Sequence, residues 1–160
     1  MAEQLLTPYK ALRTLRKTAV LLRTVVAPIS PADAQTCRSA PDGWRVLDIV
    51  CHLREYERVL LERVQVMLQQ EHPLLPTTDN ATLVDRYQPA DPDFQRVVAE
   101  LAADRQELLH VLESLSAEQW QRTGRHPEQG PGTLLEVAIN AGLHDIDHIE
   151  ELVRCVTASV

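Results

Sequence analysis

Two histidines four residues apart, His144 and His148 in LHDIDHIEEL, carry the clearest chemical signal in this 160-residue chain. On a helix such a pair stands one turn apart, so both imidazoles can address the same atom. A third histidine, His52 in VCHLREYE, falls on the flank of another apolar helical face. Three neutral imidazoles from two helices hold a divalent cation and leave a coordination position open, as catalytic zinc sites do. Such a site makes water or a thiol nucleophilic near neutral pH. Glu55, Glu151 and Asp145 are the carboxylates placed to orient the rings or take protons. Histidines at this spacing also occur as ordinary half-buried polar residues, so spacing by itself leaves metal binding and plain structure both open. Cys51 projects away from the His52 side and is not a candidate ligand. His72 and His126 sit beside prolines, and His110 lies on the outer half of its helix, which suits surface or loop roles.

Four segments with helical apolar spacing must position these groups. The first carries Leu5, Tyr9, Leu12, Leu15, Ala19, Leu22 and Val26 and stops before Pro28. The second runs from about Trp44 to Gln70, with Ile49, Leu53, Tyr56, Leu60, Val64 and Met67 on one face. The third, about Pro92 to Leu115, carries Phe94, Val98, Leu101, Leu108 and Leu112. The fourth is expected to begin near Pro131, a residue suited to a first helical turn, and contains Leu134, Ala138, Ala141, His148 and Leu152. No segment alternates with period two, so strands are not expected. The pattern predicts an all-α four-helix bundle formed by a single domain over residues 1–160. The long connection His72 to Asp91 lets the second and third helices run parallel, giving an up-down-down-up order. RTGRHPEQGPG, rich in Gly and Pro, reads as an ordered turn.

Projection of the helices also places charge inside. Arg105 and Asp145 fall near the centres of the third and fourth apolar arcs, and antiparallel packing puts them at one level. Isolated buried charges are costly, so the two are expected to pair. Arg63 projects inward as well, with no partner evident from the sequence.

Composition narrows the function classes. An apolar fraction of 44% supports a packed core, and a formal charge of −7 argues against nucleic acid, which calls for a concentrated basic face. No apolar run approaches the roughly 20 residues of a membrane span. The N-terminal MAEQLLTPYK lacks the pattern of a signal peptide, and three cysteines without a CxxC pair suit a reducing compartment. The expectation is a soluble cytoplasmic protein with a small-molecule substrate and no membrane partner. A homodimer is left open.

GWRVLDIVCHLREYE, RTGRHPEQGPGTL and LHDIDHI, in this order, resemble the DinB/YfiT-like superfamily. The resemblance spans about Trp44 to Leu152. It implies a four-helix bundle with a long connection between parallel middle helices. It also implies a divalent metal, often zinc or nickel, held by one histidine of the second helix and two of the fourth, here His52, His144 and His148. His126 in the HPEQG turn is taken as loop-shaping. Relatives of this kind include thiol transferases that use low-molecular-weight bacterial thiols and a thiol-dependent isomerase. The resemblance therefore points to a metal-dependent enzyme, with a low-molecular-weight thiol as a candidate co-substrate. Metal-dependent hydrolysis and a non-catalytic metal-binding or stress-response bundle are the alternatives.

Overall fold

A computed structural model describes residues 6–77 and 93–157. Along the chain these form α1 (Pro8–Val26), α2 (Pro31–Thr36), α3 (Val46–Gln69), α4 (Phe94–Glu113), α5 (Ala117–Trp120), a hairpin of β1 (Thr123–His126) and β2 (Gly130–Thr133), and α6 (Leu134–Thr157). Leu5, Pro92 and most of the predicted return connection lie outside the described residues.

Local chemistry explains the helix starts. Thr7 accepts from the Lys10 amide at 3.2 Å ahead of Pro8, and Asp93 accepts from the Gln95 and Arg96 amides at 3.0 and 3.3 Å. Each side chain satisfies donors that an open helix end leaves unpaired. Asp48 reaches back to the Arg45 amide at 2.9 Å at the start of α3.

The fourth long helix begins later than expected because Pro131 belongs to β2. Here Gly130 takes φ +82°, a left-handed turn that glycine adopts without steric cost, and His126 pairs with Gly130 in the antiparallel ladder. Four-residue strands made largely of Gly, Thr and Pro have no period-two apolar pattern, so this hairpin forms where no strand is expected. Thr133 and Glu136 then start α6 reciprocally, since Glu136 accepts from the Thr133 amide at 2.7 Å and its own amide donates to Thr133 Oγ1 at 3.2 Å.

Side-chain registers give the helix directions. Arg54 pairs with Glu100 and Arg58 with Asp104, so α3 and α4 rise together. Thr18 meets Asp145 while Thr14 packs against Gly142, so α1 and α6 are also parallel. That approach is close: a Cβ at Gly142 would stand 2.7 Å from Thr14 Cγ2. His52 faces His148 while Tyr56 stacks on His144, so α3 and α6 are antiparallel. The order is up-down-down-up, as the sequence predicts. The face of α1 differs from expectation. Its buried stripe is Ala11, Leu15, Thr18, Leu22 and Val26, a run with three- and four-residue spacing, and Tyr9 is exposed.

A polar layer divides the core. Thr18, Glu57, Arg105 and Asp145 are all buried, one from each long helix. Leu15, Leu60, Leu108 and Ala141 lie in the apolar cluster on one side, and Leu22, Leu53, Leu101 and Leu152 in the cluster on the other. Arg105 donates to Asp145 at 2.9 and 3.0 Å, the expected pair, and to Glu57 at 2.5 and 2.7 Å. The Thr18 hydroxyl donates to Asp145 at 2.5 Å. Both carboxylates thus receive charge-assisted bonds from one guanidinium, which fixes the helices in register.

Candidate metal centre

His52 on α3 and His144 and His148 on α6 come together beside this polar layer. Their ring centroids lie 4.6 to 5.1 Å apart. One ligand-capable nitrogen from each falls within 4.8 Å of the others. His52 Nε2 and His144 Nε2 are 3.0 Å apart. His148 meets the Glu151 carboxylate through Nδ1 at 3.1 Å, and Ser39 donates to the other oxygen of Glu151 at 3.3 Å. The rings are braced by aromatic neighbours. Tyr56 stacks on His144 at 3.8 Å, and Trp44 lies parallel to His148 at 6.1 Å.

Electrostatics keeps the inner rings unprotonated. Burial, reinforced by neighbouring His148, lowers His52 to about 4. Burial, then His148, His52 and the more distant Arg105 and Arg63, lowers His144 to about 3. Both are neutral imidazoles near pH 7 and carry a lone pair.

The donor set fits a divalent cation. Among the described residues the Nδ1 atoms of His52 and His144 have no hydrogen-bond partner, Nδ1 of His148 is taken by Glu151, and the Nε2 atoms of His52 and His144 face each other. Without a cation, one Nε2–H must donate to the Nε2 lone pair of the other ring. A cation instead takes both lone pairs, and the 3.0 Å separation is close to the ~3.3 Å edge of a tetrahedral site with metal–nitrogen bonds of about 2.0–2.1 Å. Glu151 supplies for His148 the outer carboxylate that usually orients a ligating histidine. His52 and His144 depend on ring packing instead.

The cluster opens onto a cavity of about 960 Å³. Its walls include Trp44, Tyr56, Arg63, His126, Val137 and Asp147. The cavity is mixed in character, with aromatic and aliphatic residues sharing its wall with histidines, Arg63 and the carboxylates of Glu128, Glu136 and Asp147.

Comparison with known proteins fixes the lineage. A model of the DinB superfamily matches residues 14–152. The chain belongs to the DinB superfamily. Among solved structures it is similar to YfiT from Bacillus subtilis, described as a probable metal-dependent hydrolase with an unusual four-helix-bundle topology. That likeness has a TM-score of 0.78 at 21% identity and covers 96% of this chain and 91% of YfiT. It is also similar to the colibactin self-resistance protein ClbS, solved in complex with double-stranded DNA. There the TM-score is 0.64 at 14% identity, covering 96% of this chain and 99% of ClbS. No curated protein matches the sequence. Since ClbS was captured on DNA, the expected exclusion of nucleic acid is not a property of the fold. Among the described residues no helix is long and apolar enough to cross a membrane.

Within this DinB-superfamily bundle the remaining predicted residues separate by environment. Glu151 sits against His148. Asp145 lies between the two histidines in sequence but turns into the core, where Arg105 and Thr18 hold it. Glu55 faces the other way from the histidines, paired with Arg54 and Arg58 at 3.1 and 3.2 Å. A position one turn beyond His52 shares its side of the helix only broadly, and two arginines draw the carboxylate toward α4. His126 does shape its loop, since Nδ1 lies 3.3 Å from the amides of both Glu128 and Gln129. His72 contacts Thr123. Sequence reasoning missed Glu57, Trp44 and Tyr56. Tyr56 lies one turn after His52, on the apolar face of α3, and stacks on His144.

Proposed function

We propose that this chain is a divalent-metal-dependent enzyme acting on a small molecule, with hydrolysis as its reaction class. His52, His144 and His148 would hold the metal, with the facing Nε2 atoms of His52 and His144 as two of its ligands. The observation that carries this reading is three histidine rings on the wall of an open cavity, with one ligand-capable nitrogen of each within 4.8 Å of the others. A bound divalent cation supplies Lewis acidity, which polarises a carbonyl and lowers the pKa of water. The protein's own residues do the rest. Glu151 holds the Nδ1 proton of His148 and so keeps Nε2 directed at the cluster. Burial keeps His52 and His144 neutral, while Tyr56 packs on the ring of His144 and Trp44 lies parallel to that of His148. YfiT, similar in fold, is described as a probable metal-dependent hydrolase, which supports this class.

The test is a screen of esters, amides and lactones with the chain loaded in turn with zinc and nickel. Electrophiles paired with low-molecular-weight thiols form a parallel arm. Metal-dependent hydrolysis that disappears in His148→Ala supports the proposal. Turnover only with added thiol would reassign the reaction to thiol transfer. Metal uptake without turnover in either arm would favour a non-catalytic metal-binding bundle.

A further inference from the structure

Arg63 is 8% exposed and lines the same cavity as the histidine cluster. Three elements set its place. It projects from α3, donates from Nε to the Pro76 carbonyl at 2.8 Å, and brings Nη2 to 3.3 Å from His126 Nε2 on the hairpin. The Pro76 segment is itself fixed to β1, since the Arg125 amide donates to Pro73 O at 2.8 Å and Leu75 donates to Arg125 O at 2.9 Å. Among the described residues no carboxylate pairs with Arg63. A buried guanidinium without an anion is costly unless the site is made to receive one.

His126 sharpens the point. Its Nδ1 faces the amides of Glu128 and Gln129, so Nδ1 is the acceptor and the ring proton belongs on Nε2. That proton points at Arg63 Nη2, so two donors face each other across 3.3 Å. The opposite tautomer sets Nδ1–H against two backbone donors and is worse. An anionic oxygen between the two side chains satisfies both.

We propose that Arg63 and His126 bind a carboxylate of the small-molecule substrate, whose reacting end lies at the histidine cluster. A planar carboxylate offers two oxygens to a guanidinium edge and a ring N–H. Its single charge also suits a cavity that Glu128, Glu136 and Asp147 help to line, where a dianionic phosphate would be opposed. Tyr56 spans the distance between the two ends. Its ring lies under Arg63 Cζ at 5.9 Å and stacks on His144 at 3.8 Å, so the guanidinium is no farther from the His144 ring than those lengths together. The carboxylate and the reacting group of the substrate therefore stand within that reach of each other. This inference rests on the cavity being the substrate site, but not on the metal.

The test titrates the chelator-treated full chain, followed by NMR, with hexanoate, with neutral hexanamide of the same length, and with methyl phosphate. Hexanoate is expected to bind at least about tenfold more tightly than hexanamide, the scale of a charged hydrogen bond. Arg63→Gln and His126→Phe should each erase that preference, and Arg63→Lys should keep part of it. Because Arg63 also anchors the Pro76 carbonyl, its variants are checked by melting temperature, and His126→Phe tests the site with that anchor intact. Equal binding of hexanoate and hexanamide by the wild type overturns the proposal. So does an unchanged preference in His126→Phe, or tighter binding of methyl phosphate. Zinc uptake is measured on the same samples. Its failure in a wild type that still prefers hexanoate removes the metal reading and leaves this one standing.

Discussion

At the scale of single residues, the pH response of the centre follows from its burial. His52 and His144 titrate near 6.5 in the unfolded chain but at about 4 and about 3 when folded. Their folded values are depressed, so the unfolded chain takes up protons first as pH falls below about 6.5. The metal-free protein should therefore lose stability progressively from about pH 6.5 down towards 3. Replacing both residues with Gln should flatten that part of the profile, measured by urea unfolding in a pH series. Glu151 makes a second prediction. Glu151→Gln keeps a contact to His148 Nδ1 but removes the charge, and should weaken metal affinity about tenfold, read by competition with a chromogenic chelator. An unchanged affinity would mean that Glu151 does not orient the ring.

At the scale of elements, the hairpin sets both the start of α6 and the position of His126. Thr133 and Glu136 satisfy each other's neighbouring donors where strand gives way to helix. Thr133→Ala should cost about 1 kcal/mol of stability in denaturant unfolding. Gly130→Ala forces a side chain into the left-handed region, although nothing crowds a Cβ there, and should destabilise by a similar ~1 kcal/mol through the backbone alone. The long helices were legible in the sequence because apolar residues recur over five or more turns. The hairpin was not, because its strands are four residues long and its signals are Gly and Pro, which mark a turn without saying that its flanks pair.

At the scale of the whole molecule, the polar layer holds the bundle in one register. Arg105→Leu leaves Glu57 and Asp145 buried against each other and should cost about 3–5 kcal/mol, whereas replacing all three together by apolar residues should cost far less. Arg105 and Asp145 were legible as partners because each lies at the centre of an apolar arc. Glu57 was not, since it sits in a helix whose turns already carry many charges, and only the approach of α4 shows which of them is buried. The histidine trio shows the same limit. His144 and His148 declare themselves by spacing and His52 by its place on the flank of an apolar face, but their convergence comes only from antiparallel packing of α3 on α6. We propose that these three rings form one metal site. Its most direct test is zinc titration of the chelator-treated chain with elemental analysis after dialysis. One zinc per wild-type chain, and none in the His52→Ala, His144→Ala, His148→Ala triple variant that stays folded, is the predicted result. No zinc uptake by the wild type, or equal uptake by the triple variant, would contradict it.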